Sequence, residues 1–305
     1  MKKAFSFILI AILAFSLVAC GETEPGTDAP TLQLSREALA VLSDLDKDVT
    51  VSPDAVTITL ADGASTATAN NVKIEGDKIT VQSGGTFLIS GSLSDGQLIV
   101  EADKLHKVHL IFNGVSISND GAAPFYVKSA DKVVVTLTEN SVNTFSDIMR
   151  PPASGGEDEE ADSANACIYA ADDLTFNGFG TLKVESSYNG ISGKNDIRIC
   201  GGTYAVNAGN NGIKGKDSLI LALGTVSVTA GKDGIKSDNI DETGRGYIHC
   251  CGATVSVQSG DDGIQAVTQL KIDAGSVTVN AGDNAINCDG EINIKDGCYI
   301  DVNAD

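Results

Sequence analysis

Tryptophan is absent from this 305-residue chain, and aromatic residues of every kind make up only 5% of it. A stacking platform for neutral sugar rings is therefore poorly supplied, because such platforms are built from large flat side chains. Tyr169, Tyr188 and Tyr247 are the available exceptions. Positive charge is also scarce: 21 Lys and Arg face 41 Asp and Glu, a formal net charge of −20. Such a surface repels nucleic acid. It also repels an acidic polysaccharide unless cations bridge the two. Zinc-type cysteine spacings are missing, and the one long apolar run, Ala4 to Ala19, is too short to span a bilayer stably.

That run follows Lys2 and Lys3 and reads as a bacterial secretory leader over residues 1–19. It ends in Leu17-Val18-Ala19-Cys20-Gly21, which resembles the lipobox of bacterial lipoproteins. The resemblance implies diacylation of Cys20 and removal of everything before it. The plainer account is a secretory peptide followed by a chance cysteine. Two acyl chains suffice for stable anchoring, so the expected location is the bacterial cell surface, as an exported, membrane-anchored lipoprotein. Residues 20–46 are rich in Glu, Thr, Pro, Gly and Asp and read as a flexible tether, within which Leu32 to Leu45 could form one or two helical turns as a cap.

The rest, residues 47–305, is organised around one unit that recurs five times: TLKVESSYNGISG from Thr181, then its relatives from Thr203, Thr225, Thr254 and Ser276. The starts are 22, 22, 29 and 22 residues apart, and the long interval carries an insertion around Asp241. A repeat in such register predicts a solenoid. Inside the unit, Val226 and Val228 alternate with Thr225, Ser227 and Thr229, a strand period. Asp233-Gly234 or Asn-Gly equivalents supply turns. Two or three short strands per unit predict a single-stranded parallel β-helix, an all-β solenoid of about ten coils of about 22 residues. An acidic run at residues 149–163 interrupts it as a solvated loop. Cys250 aligns with Ile199, Leu221 and Ile272 as a buried position, whereas Cys200 and Cys251 share an outward column with Ala222 between them.

Equivalent positions in such a stack lie roughly 4.8 Å apart. The corner column then reads Asn189, Asn211, Asp233, Asp262, Asn284, preceded by Tyr188, Asn210, Lys232, Asp261, Asp283. Carboxylates at this spacing repel by roughly 3 kcal/mol at an effective dielectric near 20, so Asp261, Asp262 and Asp283 call for a cation or a raised pKa. Calcium, a hard cation with oxygen ligands, suits them, and Asp233, Asp261, Asp262, Asp283 and Asn284 are the candidate ligands. The bland account is that Asp and Asn stand there as corner formers, and it covers Asn189 and Asn211 better than the doubled Asp261-Asp262. Lys214 and Lys236 run beside this column on successive units, and Arg245 in the insertion could overhang the same face. With Asn211 they are candidates to seat sugar carboxylates; the alternative is solvated lysines balancing nearby aspartates.

Phe87-Leu88-Ile89-Ser90-Gly91-Ser92-Leu93-Ser94-Asp95-Gly96-Gln97, Leu110-Ile111-Phe112-Asn113-Gly114-Val115, Leu174-Thr175-Phe176 with Gly180-Thr181-Leu182, and the Gly-Ile units that follow resemble the β-helix carbohydrate-binding family of clostridial and related bacterial surface lipoproteins. The resemblance runs from about Val51 to Asp305. It implies a right-handed helix with bound calcium, a pectate-lyase-like architecture without demonstrated cleavage, and binding of acidic plant-type polysaccharide such as polygalacturonate, or of cellulose. Asp233-Gly234-Ile235 and Asp262-Gly263-Ile264 match the family corner; Asn284-Ala285-Ile286, Asn189 and Asn211 depart from it, which leaves the number of metal sites open. Two functions follow: a non-catalytic, calcium-dependent polysaccharide binder, or a pectate-type lyase using Lys214, Lys236 or Arg245 as base. The ridge has no histidine and no obvious second catalytic group, which favours the binder.

Overall fold

The computed structural model of the chain describes residues 31–148 and 164–304. The expected leader, Cys20 and the acidic run at residues 149–163 lie outside the described residues.

Period-two patterning does what it predicts: in the strand that carries Val226 and Val228 both valines are buried, while Thr225, Ser227 and Thr229 face outward. Two short helices, α1 (Arg36–Val41) and α2 (Asp44–Lys47), come first. They are followed by β1 (Val56–Leu60), β2 (Thr66–Ala67), β3 (Val72–Glu75), β4 (Lys78–Val81), β5 (Gly85–Leu93) and β6 (Gln97–Glu101). Next are β7 (Lys107–Asn119), β8 (Phe125–Ser129), β9 (Lys132–Leu137), β10 (Val142–Asp147), β11 (Ala166–Ala170), β12 (Asp173–Gly178), β13 (Thr181–Ser186) and β14 (Asn189–Gly193). The remaining strands are β15 (Asp196–Ala208), β16 (Ile213–Gly215), β17 (Ser218–Ala230), β18 (Ile235–Ser237) and β19 (Tyr247–Ser259). After them come β20 (Ile264–Ala266), β21 (Gln269–Ala281), β22 (Ile286–Cys288), β23 (Glu291–Ile294) and β24 (Tyr299–Ala304).

The topology corrects the expected single-stranded β-helix of about ten coils. The strands form two sheets, of 14 and 10 strands. Within the larger one, β7, β10, β13, β15, β12 and β9 pair in a closed ring of six parallel strands. Two further pairings, β1 with β2 and β3 with β4, are antiparallel. The cause lies in the long strands. Where the sequence pattern predicts two short strands and a corner, as at Ile197/Ile199 and Val206, β15 continues as one strand of 13 residues. Its first half pairs with β12 and its second with β13, β7 does the same with β9 and β10, and these two shared strands close the ring. Glycine makes such bends possible. In β17 Gly224 has φ 106°, and a Cβ there would meet the Gly202 carbonyl oxygen at 2.6 Å. Only a residue without a Cβ fits that approach.

The register of the repeat is as the sequence aligns it. Thr181, Thr203, Thr225, Thr254 and Ser276 are direct cross-strand neighbours. Cys250 lies between Leu221 and Ile272 and is 2% exposed, as its column predicts. The insertion leaves the stack at Asn239 and returns at Gly246; the Asn239 side-chain amide donates to Asp217 Oδ1 at 2.6 Å and the Gly246 N–H to the Asp217 carbonyl at 2.7 Å. One continuous aliphatic core fills the interior, with Phe112, Phe125 and Phe145 at ring-centroid distances of 5.6–5.9 Å.

The end of the stretch expected as tether lies on the outside of the larger sheet. Ser35 caps α1 and also donates to the Cys251 carbonyl, and a Ser43–Asp46 capping box opens α2. Ala38 and Leu42 cover an outward apolar patch of Cys200, Ile220, Ala222 and Cys251. Asp46, 1% exposed, accepts from Lys132 Nζ at 2.9 Å and from Thr175 Oγ1 at 2.6 Å. Burial raises its pKa, but the hydrogen bonds from Thr175, Ser43 and Lys132 outweigh that and hold the carboxylate ionised.

Candidate metal and ligand site

The corner column runs along one edge of the smaller sheet and is held by a ladder of side-chain-to-backbone bonds. Asn189 Oδ1 accepts the Asn211 N–H, Asn211 Oδ1 the Asp233 N–H, and Asp262 Oδ1 the Asn284 N–H, each at 3.2 Å. Asn and Asp are thus corner formers here, each satisfying a donor of the next layer.

One place in the column goes further. Asp261, Asp262 and Asp283 each bring a carboxylate oxygen within 4.8 Å of the others. Asp262 is 4% exposed and saturated: Oδ1 accepts from the Asn284 N–H and side-chain amide, Oδ2 from Asn287 Nδ2 at 2.7 Å and Gln265 Nε2 at 3.4 Å. Asp283 accepts from Asn284 Nδ2 at 3.2 Å. The Asp261 carboxylate receives no hydrogen bond among the described residues. Its pKa is pushed up by loss of solvent and then by Asp233, Asp262 and Asp283, with Lys232 offsetting only part. The unbonded Asp261 carboxylate, with Asp283 and the amide-held Asp262 beside it, offers hard oxygen donors that match a calcium ion, whose ligand oxygens stand about 2.4 Å from the metal and so up to about 5 Å from one another. The fit is good.

The other predicted residues are placed as follows. Asp233 is 5% exposed and is held by Lys236 Nζ at 2.9 Å, so it lies outside the three-carboxylate cluster. Asn284 turns its amide nitrogen toward Asp262 and Asp283. Asn211 is occupied in the ladder. Lys214 and Lys236 are direct neighbours, with Ser192 before them and Gln265 and Asn287 after. Lys214 pairs with Asp238 at 2.7 Å, and Lys236 reaches the same carboxylate at 4.0 Å. Asp238 is a residue that sequence reasoning missed; its place three residues after Asp-Gly-Ile, facing both lysines, was the available signal. Arg245 joins Asp196 at 3.4 Å and Asp217 at 3.7 Å, at the turn into β17, rather than the lysine pair.

A second charged cluster, also missed, lies on the larger sheet beside α1. Asp273 accepts from Lys271 at 2.7 Å, from His249 at 2.9 Å and from Lys295 at 3.2 Å. Burial raises the Asp273 pKa, but those three donors outweigh it and bring it to about 2. Burial keeps His249 below its usual range in spite of the Asp273 contact.

The chain as a whole is similar to known proteins. A family model described as carbohydrate-binding domain-containing protein matches residues 75–304. A protein of that description from Acetivibrio thermocellus is 42% identical over 222 residues, 72% of this chain and 77% of the relative. The solved structure of a polysaccharide lyase-like protein from C. thermocellum, in a gadolinium derivative, superposes with a TM-score of 0.74 at 34% identity, covering 81% of this chain and 99% of that one. The chain is a carbohydrate-binding protein in its class. It belongs to the carbohydrate-binding domain-containing protein family.

Proposed function

We propose that the chain is a non-catalytic, calcium-dependent binder of acidic polysaccharide of the polygalacturonate type, or of cellulose, held at the bacterial cell surface by a lipid on Cys20. The observation that carries this reading is the cluster of Asp261, Asp262 and Asp283, with carboxylate oxygens within 4.8 Å and too little positive charge nearby. Bound there, calcium would supply the positive charge that lets an acidic chain approach a protein of net charge −20. Asp261, Asp262 and Asp283 would hold the ion, and Lys236 and Lys214, one and two strands from the Asp262 layer, would exchange their Asp233 and Asp238 partners for sugar carboxylates.

Calcium titration by calorimetry tests the site. The wild type is expected to bind calcium and to gain thermal stability from it by mass action. Asp261→Asn should remove most of that gain. Asp261 is the better probe than Asp262, two of whose four amide donors would be left facing an amide nitrogen in Asp262→Asn. No binding to the wild type would leave the column as corner formers alone. Polygalacturonate incubated with calcium is expected to yield no unsaturated ends absorbing in the ultraviolet; their appearance would make the chain a lyase.

A further inference from the structure

The Lys214–Lys236 pair belongs to a longer row. Reading cross-strand neighbours outward on the smaller sheet gives Ile99, Tyr126, Tyr169, Ser192, Lys214, Lys236, Gln265 and Asn287 in one unbroken column. One end touches the acidic cluster, where Gln265 and Asn287 donate to Asp262. Toward the other end, Tyr126, six strand spacings or about 29 Å away from Asn287, lines a pocket of about 310 Å³ together with Ile99.

That pocket joins an aromatic ring with paired charges. Tyr126 is half-buried, and its ring packs against that of buried Tyr169 at 5.7 Å between centroids, which fixes its orientation. Ile99, 5% exposed, extends the apolar surface beside it. Lys128 pairs with Glu101, while Gln97 donates to the Ala123 carbonyl at 2.9 Å, and Lys78 adds a fourth polar group to the lining. A pyranose offers the complementary surface, an apolar ring face edged with hydroxyl groups. In a chain without tryptophan, two tyrosine rings packed side by side at the end of the lysine row are a rare resource.

We infer that the Tyr126 pocket is a second sugar subsite, and that the protein reads an extended polysaccharide, which touches the pocket at one end and the Lys214-to-Asn287 part of the row at the other and passes over buried Tyr169 and Ser192 between them. The inference rests on the carbohydrate-binding reading and adds a chain-length requirement to it. One ligand engaging both ends gains from the second contact as an intramolecular event. Affinity therefore rises with oligomer length until the oligomer spans about 29 Å.

Calorimetry with short and long oligogalacturonides, and with cello-oligosaccharides in parallel, tests this in saturating calcium. The wild type is expected to bind the long members more tightly. Tyr126→Ala should weaken long-oligomer binding about three- to tenfold, the range for one aromatic contact, and leave short-oligomer binding at the acidic end unchanged. Tyr126→Phe should retain the wild-type length dependence, and Lys128→Ala, at an exposed position, gives a second probe should Tyr126→Ala fail to fold. Affinity that is flat with length in both sugar series overturns the inference, as does a folded Tyr126→Ala or Lys128→Ala that matches the wild type on long oligomers. Failure of the calcium reading looks different: Asp261→Asn then has no effect on any oligomer, while the Tyr126 effect persists.

Discussion

Asp261 and Asp273 lie on different sheets of the same stack and meet opposite fates. Both lose solvent, which by itself raises a carboxylate pKa. Asp273 is surrounded by Lys271, His249 and Lys295 and ends at about 2. Asp261 is surrounded by Asp233, Asp262 and Asp283 and ends above its ordinary value. Burial does not separate a structural carboxylate from a ligand-seeking one. The sign of the neighbours does. Asp273 is complete within the protein, joining β21 to β19 and, through Lys295 and Glu37, to α1. Asp261 has no such donor among the described residues, and the calcium proposed above is the partner that would complete it.

Removing the complete carboxylate should cost the most. Asp273→Ala strands two lysines and a buried histidine; because the lysines are 39% and 51% exposed, the expected loss is roughly 2 kcal/mol in urea unfolding rather than that of a fully buried network. A loss below about 0.5 kcal/mol would show that water replaces Asp273 without difficulty. Asp261→Asn in calcium-free buffer should go the other way, stabilising the fold by a few tenths of a kcal/mol at neutral pH because one repulsion has gone.

The pH profiles sharpen the same contrast. The folded-state pKa of Asp273 is depressed, so its stabilisation is present above the ordinary carboxylate range and is lost as pH falls from about 4 toward about 2. The folded-state pKa of Asp261 is raised, so its contribution is most favourable in acid and is lost as pH rises through the raised value. The gain from Asp261→Asn should therefore vanish below the carboxylate range, while the loss from Asp273→Ala shrinks there. Equal slopes for the two variants would refute the assignment. The smallest effect is expected at exposed Asp54, where Asp54→Asn should change neither stability nor calcium response.

Much of this comparison was legible before any coordinates. The repeat aligned Asp261, Asp262 and Asp283 into one place and Lys214 beside Lys236, because strands that pair in parallel put equivalent residues at one spacing. The ring of six strands was not legible, since a glycine such as Gly202 in β15 (φ 85°) reads equally as a corner between strands or as a bend within one. The covering of the larger sheet by α1 left a trace beyond the helical turns expected within Leu32 to Leu45: Cys200, Ala222 and Cys251 stand at one outward place of successive units without a polar residue among them, with Ile220 beside them, which implies something lies over them. The Asp273 cluster was hidden because Lys271, His249 and Lys295 come from three separate strand regions, and only register brings them together.

The excursion between Asn239 and Gly246 has a consequence for how such a chain can change. Its two ends are fastened to Asp217 in the layer beneath, and the next strand resumes its register as though nothing had been added. Additions of this kind escape the close fit that governs core positions, because loop closure grows only slowly with length. The turn at residues 239–246 is accordingly a natural graft point: a foreign recognition loop or reporter peptide could be spliced there without disturbing the columns on either sheet, and lineages can acquire new surface specificities by the same route.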